Sequence, residues 1–339
     1  MTTALTVIED IRQQVAAHND ALAEARARRD TVFDAVATFP GVLRTSGTGS
    51  LSTGYINDPV DDADGAAVLD RRMYPALGPD GGGELPHSTV EHIQNHVRPI
   101  IRETYPQASV KRMKRGILVE FGEPLDDEQD PTVDLVVALN RRKDDALWIP
   151  NLDQDRWDPS HPERHVELFT AGDRPLRRTR ARVVRLSKAQ VKQLATPTLY
   201  SFNVAALAWE VIEDNESLEQ ALHRFFRYAA VEIAVHRTDD PAGISGRIKL
   251  PESLQRKTIV DRLTRAADGL ERAIQAGDDE DKVLAAMAEV FPHYVEAPGT
   301  SSERSAIAEA LRTSAAVSLP LSTRPTPATR SHGGGHEER

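Results

Sequence analysis

Between Thr45 and Gly54 the chain reads Thr-Ser-Gly-Thr-Gly-Ser-Leu-Ser-Thr-Gly, and eleven residues separate Ser50 from the next stretch able to do chemistry, Asp62-Ala63-Asp64. The first run offers close approach to an anion. Gly47, Gly49 and Gly54 tolerate backbone conformations that side chains forbid, and their amides can face a phosphate. Ser50 adds a hydroxyl donor. Asp62 and Asp64 lie two apart, so in a strand both carboxylates point to one face. Like charges so placed raise each other's pKa unless a cation lies between them. A hard divalent ion answers that need, and Mg²⁺ (or Mn²⁺) commonly takes one or two carboxylates together with substrate phosphates. The two runs together predict a site for a nucleoside triphosphate and a metal.

Three familiar motifs fail at residues their chemistry requires. Gly49 and Gly54 have the glycine spacing of a P-loop, but Tyr55 and Ile56 stand where its Lys and Ser/Thr belong. Ser52 replaces the third glycine of G-x-G-x-x-G, and no G-x-S-x-G surrounds Ser50 or Ser52. The pairs His92/His96 and His161/His165 are each four apart, yet no H-E-x-x-H glutamate accompanies them, and packing or helix capping is their expected use.

The elements that must position these residues follow from periodicity and breakers. No Gly or Pro interrupts Thr6 to Ala37, and Thr6 with Glu9 makes a capping box, which predicts one long amphipathic helix ended by Pro40-Gly41. Val133-Asp134-Leu135-Val136-Val137-Ala138-Leu139 reads as a buried strand, as does Ile117 to Phe121. Helices are expected over Thr89 to Tyr105, Leu176 to Leu194, Ala205 to Ile212, Leu218 to Val235, Leu254 to Ala276 and Asp279 to Val290. The helix over Leu176 to Leu194 gathers Arg177, Arg178, Arg180, Arg182, Arg185, Lys188 and Lys192, an anion surface in a protein of net charge −10. The basic cluster Lys111 to Arg115 reads as a solvated loop offsetting acidic neighbours. That acidity argues against constitutive nucleic-acid coating. The absence of cysteine removes disulfides, thiolate catalysis and Cys-ligated zinc. With no apolar span of membrane length and no leader pattern at Met1 to Thr6, a cytoplasmic protein with no membrane partner is expected. From about Ala297 onward, Ser, Thr, Pro and Gly predict a flexible tail, with a short helix at Ser305 to Ala315.

In order and spacing, the glycine-serine run, Asp62-Ala63-Asp64, Asp134, Ile149-Pro150-Asn151, Trp157 to Glu163, Val184 to Lys188 and Ser201-Phe202-Asn203 are markers spread over residues 41 to 245. The ordered set resembles the DNA polymerase β-like nucleotidyltransferase superfamily, and within it the bacterial cGAS/DncV-like nucleotidyltransferases (CD-NTases). The resemblance implies an α+β fold: a nucleotidyltransferase lobe over 1–175 with a mixed sheet and a long N-terminal helix, a helical lobe over 176–298 closing the site, and the tail over 299–339. It implies that Asp62, Asp64 and Asp134 are catalytic metal ligands. Gly49 and Ser50 would grip the β- and γ-phosphates, with Lys188 and Ser201 facing the same group and Arg185 as a second candidate cation. The pair Asp62/Asp64 is preferred over an alignment through Gly65 because it keeps both ligands on one face. The activity implied is a cyclic di- or trinucleotide synthase, using ATP with or without GTP or another NTP and releasing pyrophosphate, in anti-phage signalling with regulatory partner proteins. Two rivals stay open: a transferase adding a nucleotide to RNA, protein or a small molecule, and a non-catalytic RNA- or partner-binding module.

Overall fold

The computed structural model describes residues 2–213 and 216–298; the expected tail, with its short helix, lies outside the described residues. The chain opens with two helices, α1 (Ala4–Gln14) and α2 (Asn19–Ala37), in place of the single long helix expected. The capping box sits one turn earlier than Thr6/Glu9: the Thr3 side chain accepts from the Thr6 amide, and the Thr6 hydroxyl accepts from the Thr3 amide. The break at Val15 to His18 is tertiary in origin. Ala16 bridges to Asn57, and the Asp58 amide donates to the Val15 carbonyl (3.1 Å), so a neighbouring strand-like segment takes over hydrogen bonding that a helix would have satisfied internally.

Among the described residues seven strands follow: β1 (Val42–Gly47), β2 (Asp62–Leu69), β3 (Ser109–Met113), β4 (Gly116–Glu120), β5 (Thr132–Asn140), β6 (Leu147–Asn151) and β7 (Arg156–Ser160). They form one mixed sheet in the order β1-β2-β5-β4-β3, with β6 pairing the far end of β5 and β7 pairing β6. The pairing of β2 with β5 is parallel and the others are antiparallel. Helix α3 (Gly49–Thr53) lies between β1 and β2, and α4 (His87–Thr104) lies between β2 and β3. After β7 come α5 (Pro162–Phe169), α6 (Arg174–Lys192), α7 (Ser201–Val211), α8 (Leu218–Val235), α9 (Arg256–Gln275) and α10 (Glu280–Val290).

Two large apolar clusters hold these elements. One joins the sheet to α2 and α4 through residues such as Val32, Val36, Ile93, Val97, Leu135 and Val137. The approach is close at Gly65, where a Cβ would come within 2.4 Å of the Phe33 ring, so the glycine lets α2 press against β2. The other cluster unites α6 to α10, and α1 belongs to it through Val7, Ile8 and Ile11 although it precedes the sheet in sequence. Arg28, 1% exposed, donates to Asp130 and to the carbonyls of Glu123 and Pro131, which ties α2 to the loop that launches β5. Among the described residues no helix is long and apolar enough to cross a membrane.

Candidate active site

The glycine-serine run folds as a strand, a tight turn and one short helix. Strand β1 delivers Gly47, Thr48 acts as N-cap, and α3 begins at Gly49. The Thr48 amide donates to the Asp64 carbonyl (3.0 Å), which fastens the turn to β2. Gly49 has φ +63°, and a Cβ there would fall 1.7 Å from Asp64 Oδ2. Only glycine lets the turn ride this closely over the carboxylate.

Strand geometry places the acids. Asp62 and Asp64 share one face of β2, with the buried Ala63 turned into the core. Asp64 stands in register with Asp134 on the parallel strand β5, so the two side chains project to the same face of the sheet. Burial first, then the charges of Asp62 and Asp134, pushes the Asp64 carboxyl up to about 7, while Lys188 and the Ser50 amide pull it down. Asp134 is raised by burial and by Asp62, with Arg115 opposing. Asp62 keeps solvent contact at the start of its strand, yet cavity walls displace enough water to raise its pKa, against the pull of Lys188 and Lys192.

A cavity of about 410 Å³ opens over these groups, lined by Thr48, Gly49, Ser50, Asp61, Asp62 and Asp64 on one side and by Lys188, Lys192, Ser201 and Phe202 on another. Lys188 is 6% exposed, and its Nζ donates to the Tyr55 carbonyl (3.0 Å). Burial and Lys192 bring its pKa down to about 8, with Asp62, Asp64 and Asp61 opposing. Both sides thus carry charge that burial disfavours: repelling carboxylates from the sheet and the desolvated Lys188 ammonium from α6. A cation and a polyphosphate together relieve both.

Among the described residues no three His, Asp or Glu side chains stand close enough to enclose a metal by themselves. The donor set suits an ion whose shell is completed from outside, because Asp62 and Asp64 present two hard oxygen ligands to a cavity large enough for substrate phosphates.

Of the residues singled out from the sequence, Gly49, Ser50, Asp62, Asp64, Lys188 and Ser201 surround one cavity. Asp134 lies beside them by register but does not line it. Arg185 does not reach it; its Nε donates to the Ala181 carbonyl (3.4 Å). The cluster at Lys111 to Arg115 is largely spent on ion pairs, Lys111 with Glu120, Arg112 with Glu91 and Arg115 with Asp158. Asp61, Tyr55, His165 and Phe169 also line the cavity without a motif to announce them, and Lys192, part of the expected anion surface, joins Lys188 there in place of Arg185. Lys192 had a usable signal, since it lies one helical turn beyond Lys188 on the same face. His161 caps α5, its Nδ1 accepting from the Arg164 amide (3.3 Å), whereas His165 enters the cavity wall.

No protein-family model and no curated protein sequence matches the chain. Solved structures do. The Bradyrhizobium diazoefficiens CD-NTase CdnG in complex with GTP superposes with a TM-score of 0.63 over 85% of this chain and 95% of its own, at 16% identity. CdnC of Escherichia coli with ATP gives 0.62 over 87% and 99%, at 16% identity. The Vibrio cholerae cyclic AMP-GMP synthase DncV, described as a prokaryotic cGAS homolog, gives 0.54 over 75% and 70%, at 14% identity. The fold of this chain is that of the cGAS/DncV-like nucleotidyltransferases, as its motifs implied.

Proposed function

We propose that this protein is a divalent-cation-dependent nucleotidyltransferase that joins nucleoside triphosphates, ATP among them, into a cyclic di- or trinucleotide second messenger for anti-phage signalling. The observation that carries this reading is the convergence of Asp62 and Asp64 with Gly49-Ser50, Lys188 and Ser201 on one cavity. It is supported by a fold shared with proteins described as binding GTP or ATP, or as making cyclic AMP-GMP.

In this reading the amides and hydroxyl at Gly49-Ser50 hold the β- and γ-phosphates, and Ser201 positions them from the start of α7. Lys188 and Lys192 offset the charge of the triphosphate. Asp62 and Asp64 hold Mg²⁺ or Mn²⁺, with Asp134 beside them on β5. When bound, the ion lowers the pKa of the attacking hydroxyl and stabilises the leaving oxygens. A ribose hydroxyl oxygen attacks the α-phosphorus and its proton is released to solvent, while the bond from the α-phosphorus to the oxygen bridging the β-phosphate breaks and pyrophosphate leaves.

The test is incubation of purified protein with labelled ATP, GTP, CTP and UTP plus Mg²⁺ or Mn²⁺, then phosphatase and chromatography, beside Asp62→Ala/Asp64→Ala. A phosphatase-resistant small product missing from the variant is expected. Label on RNA or protein instead would replace cyclic-nucleotide synthesis with transfer to an acceptor. No transfer under any of these conditions, with the variant indistinguishable from wild type, would count against nucleotidyl transfer.

A further inference from the structure

One group in the cavity wall has no part in the reading above. His165, on the first full turn of α5, lines the cavity while its Nε2 meets Asp240 Oδ1 at 2.5 Å. The Asp240 side chain is wholly buried and saturated. Besides the imidazole it accepts from the amides of Ala242 (3.2 Å), Ile244 (3.0 Å) and Ser245 (2.8 Å), and from the Ser245 hydroxyl (2.9 Å). A carboxylate held by so many donors stays ionised. It therefore accepts, and Nε2 carries the hydrogen. The ring is clamped on its sides as well, stacked toward Phe169 (6.1 Å between centroids) and edge-on to Phe202 (4.9 Å). No other protein group among the described residues bonds the ring, and its remaining nitrogen, Nδ1, is the free one.

The place of α5 indicates what that nitrogen meets. The helix packs against α3, which begins at Gly49-Ser50, and against α7, which begins at Ser201. Phe202, against which the ring rests, is the next residue after Ser201. An ion pair between Arg44 and Glu163 (2.7 Å) fixes the start of α5 to β1, the strand leading into the same turn. His165 thus lies on a helix that touches both elements whose first turns are assigned to the triphosphate, in a cavity that Lys188 and Lys192 also line.

We propose that His165, oriented by Asp240, is a polyphosphate-binding residue whose Nδ1–H donates to a phosphate oxygen of the bound nucleotide and of the released pyrophosphate. Such a contact takes a hydrogen on each ring nitrogen, one toward Asp240 and one toward the phosphate. Asp240 fixes the ring's rotation before the ligand arrives. The proposal rests on the nucleotide-site reading, and it adds a contact on which that reading does not depend.

Calorimetric titration of the full chain with inorganic pyrophosphate and, separately, with a non-hydrolysable ATP analogue, each with Mg²⁺, tests it. His165→Phe keeps an aromatic ring between Phe169 and Phe202 and leaves Asp240 its other donors. His165→Asn puts a side-chain amide near the position of Nδ1. Melting curves confirm that each variant is folded. The Phe variant is expected to bind both ligands on the order of tenfold more weakly, the worth of one hydrogen bond to a charged group, and the Asn variant to regain most of that loss. Pyrophosphate binding unchanged in the Phe variant, while Lys188→Met weakens it, would overturn the role of His165 and leave the nucleotide site standing. Loss of affinity for the analogue alone would make His165 a reader of the nucleoside and also overturn the proposal. So would an Asn variant no better than the Phe variant, since packing would then account for the effect. Failure of the wild-type chain to bind either ligand would remove the nucleotide site itself.

Discussion

The acidic and basic sides of the cavity are built by different means. Asp62, Asp64 and Asp134 are placed by strand alternation and by the parallel register of β2 with β5, so their spacing is set by backbone hydrogen bonds. Lys188 and Lys192 are placed by the helical repeat of α6, at the ends of flexible chains, and one of them is anchored by the Tyr55 carbonyl. The burial costs run in opposite directions too: Asp64 is pushed toward its neutral acid, and Lys188 toward its neutral amine. A rigid acidic side suits a group with strict geometry, such as a metal ion. An adaptable basic side suits a polyphosphate, which changes shape as it reacts.

The contrast is most sharply broken by removing the rigid side. Asp62→Ala/Asp64→Ala is expected to lower product formation roughly a thousandfold or more, the several kcal/mol of charge stabilisation assigned to a catalytic metal. Gly49→Ala comes next. Its Cβ would collide with Asp64 Oδ2 and the residue would be strained at φ +63°, so turn and carboxylate must separate. Displacement of about 1 Å predicts a loss near a hundredfold in turnover, measured in the same product assay. Lys188→Met tests the adaptable side and should weaken triphosphate binding about tenfold in calorimetry, through loss of a charge-assisted contact.

Stability against pH reads the same contrast in the free protein. The Asp64 carboxyl is raised to about 7, so between its ordinary value and about 7 the folded state holds a proton that the unfolded chain has released. Stability contributed there declines as pH rises through that window. Asp64→Asn should flatten the slope and, above about pH 7, stabilise the metal-free chain by on the order of 1 kcal/mol. Lys188 gives the opposite sign. Its folded pKa is lowered to about 8, so the unfolded state binds the extra proton from there up to the ordinary lysine range, and stability rises with pH. Lys188→Met should remove that rise. Urea titrations at fixed ionic strength across the pH range measure both.

Much of this architecture was legible because local pattern and tertiary placement coincide. The β-branched run around Asp134 can only be a buried strand, and two aspartates two apart on a strand must share a face, so the sheet side follows from the sequence directly. The Lys188 helix was equally plain, ending at Lys192 shortly before Pro197. What escaped depends on partners far along the chain. The division of the first helix at Val15 to His18 is made by Asn57 and Asp58, without a Gly or Pro to mark it. His165 reads from the sequence as a packing residue because Asp240, which orients it, lies 75 residues away in a segment legible only as a turn. Periodicity encodes the face of an element and carries no information on which loop will close over it.

If the sheet carboxylates and the helical cations serve a single metal-nucleotide site, binding of the metal and of the nucleotide must be coupled. Affinity for a non-hydrolysable ATP analogue would be measured with and without Mg²⁺ in the wild-type chain, in Asp62→Asn/Asp64→Asn and in Lys188→Met. Mg²⁺ is expected to strengthen binding in the wild-type chain and in Lys188→Met, whose overall affinity is lower, and to do nothing in the double Asn variant. An equal response to Mg²⁺ in all three proteins would contradict a single site.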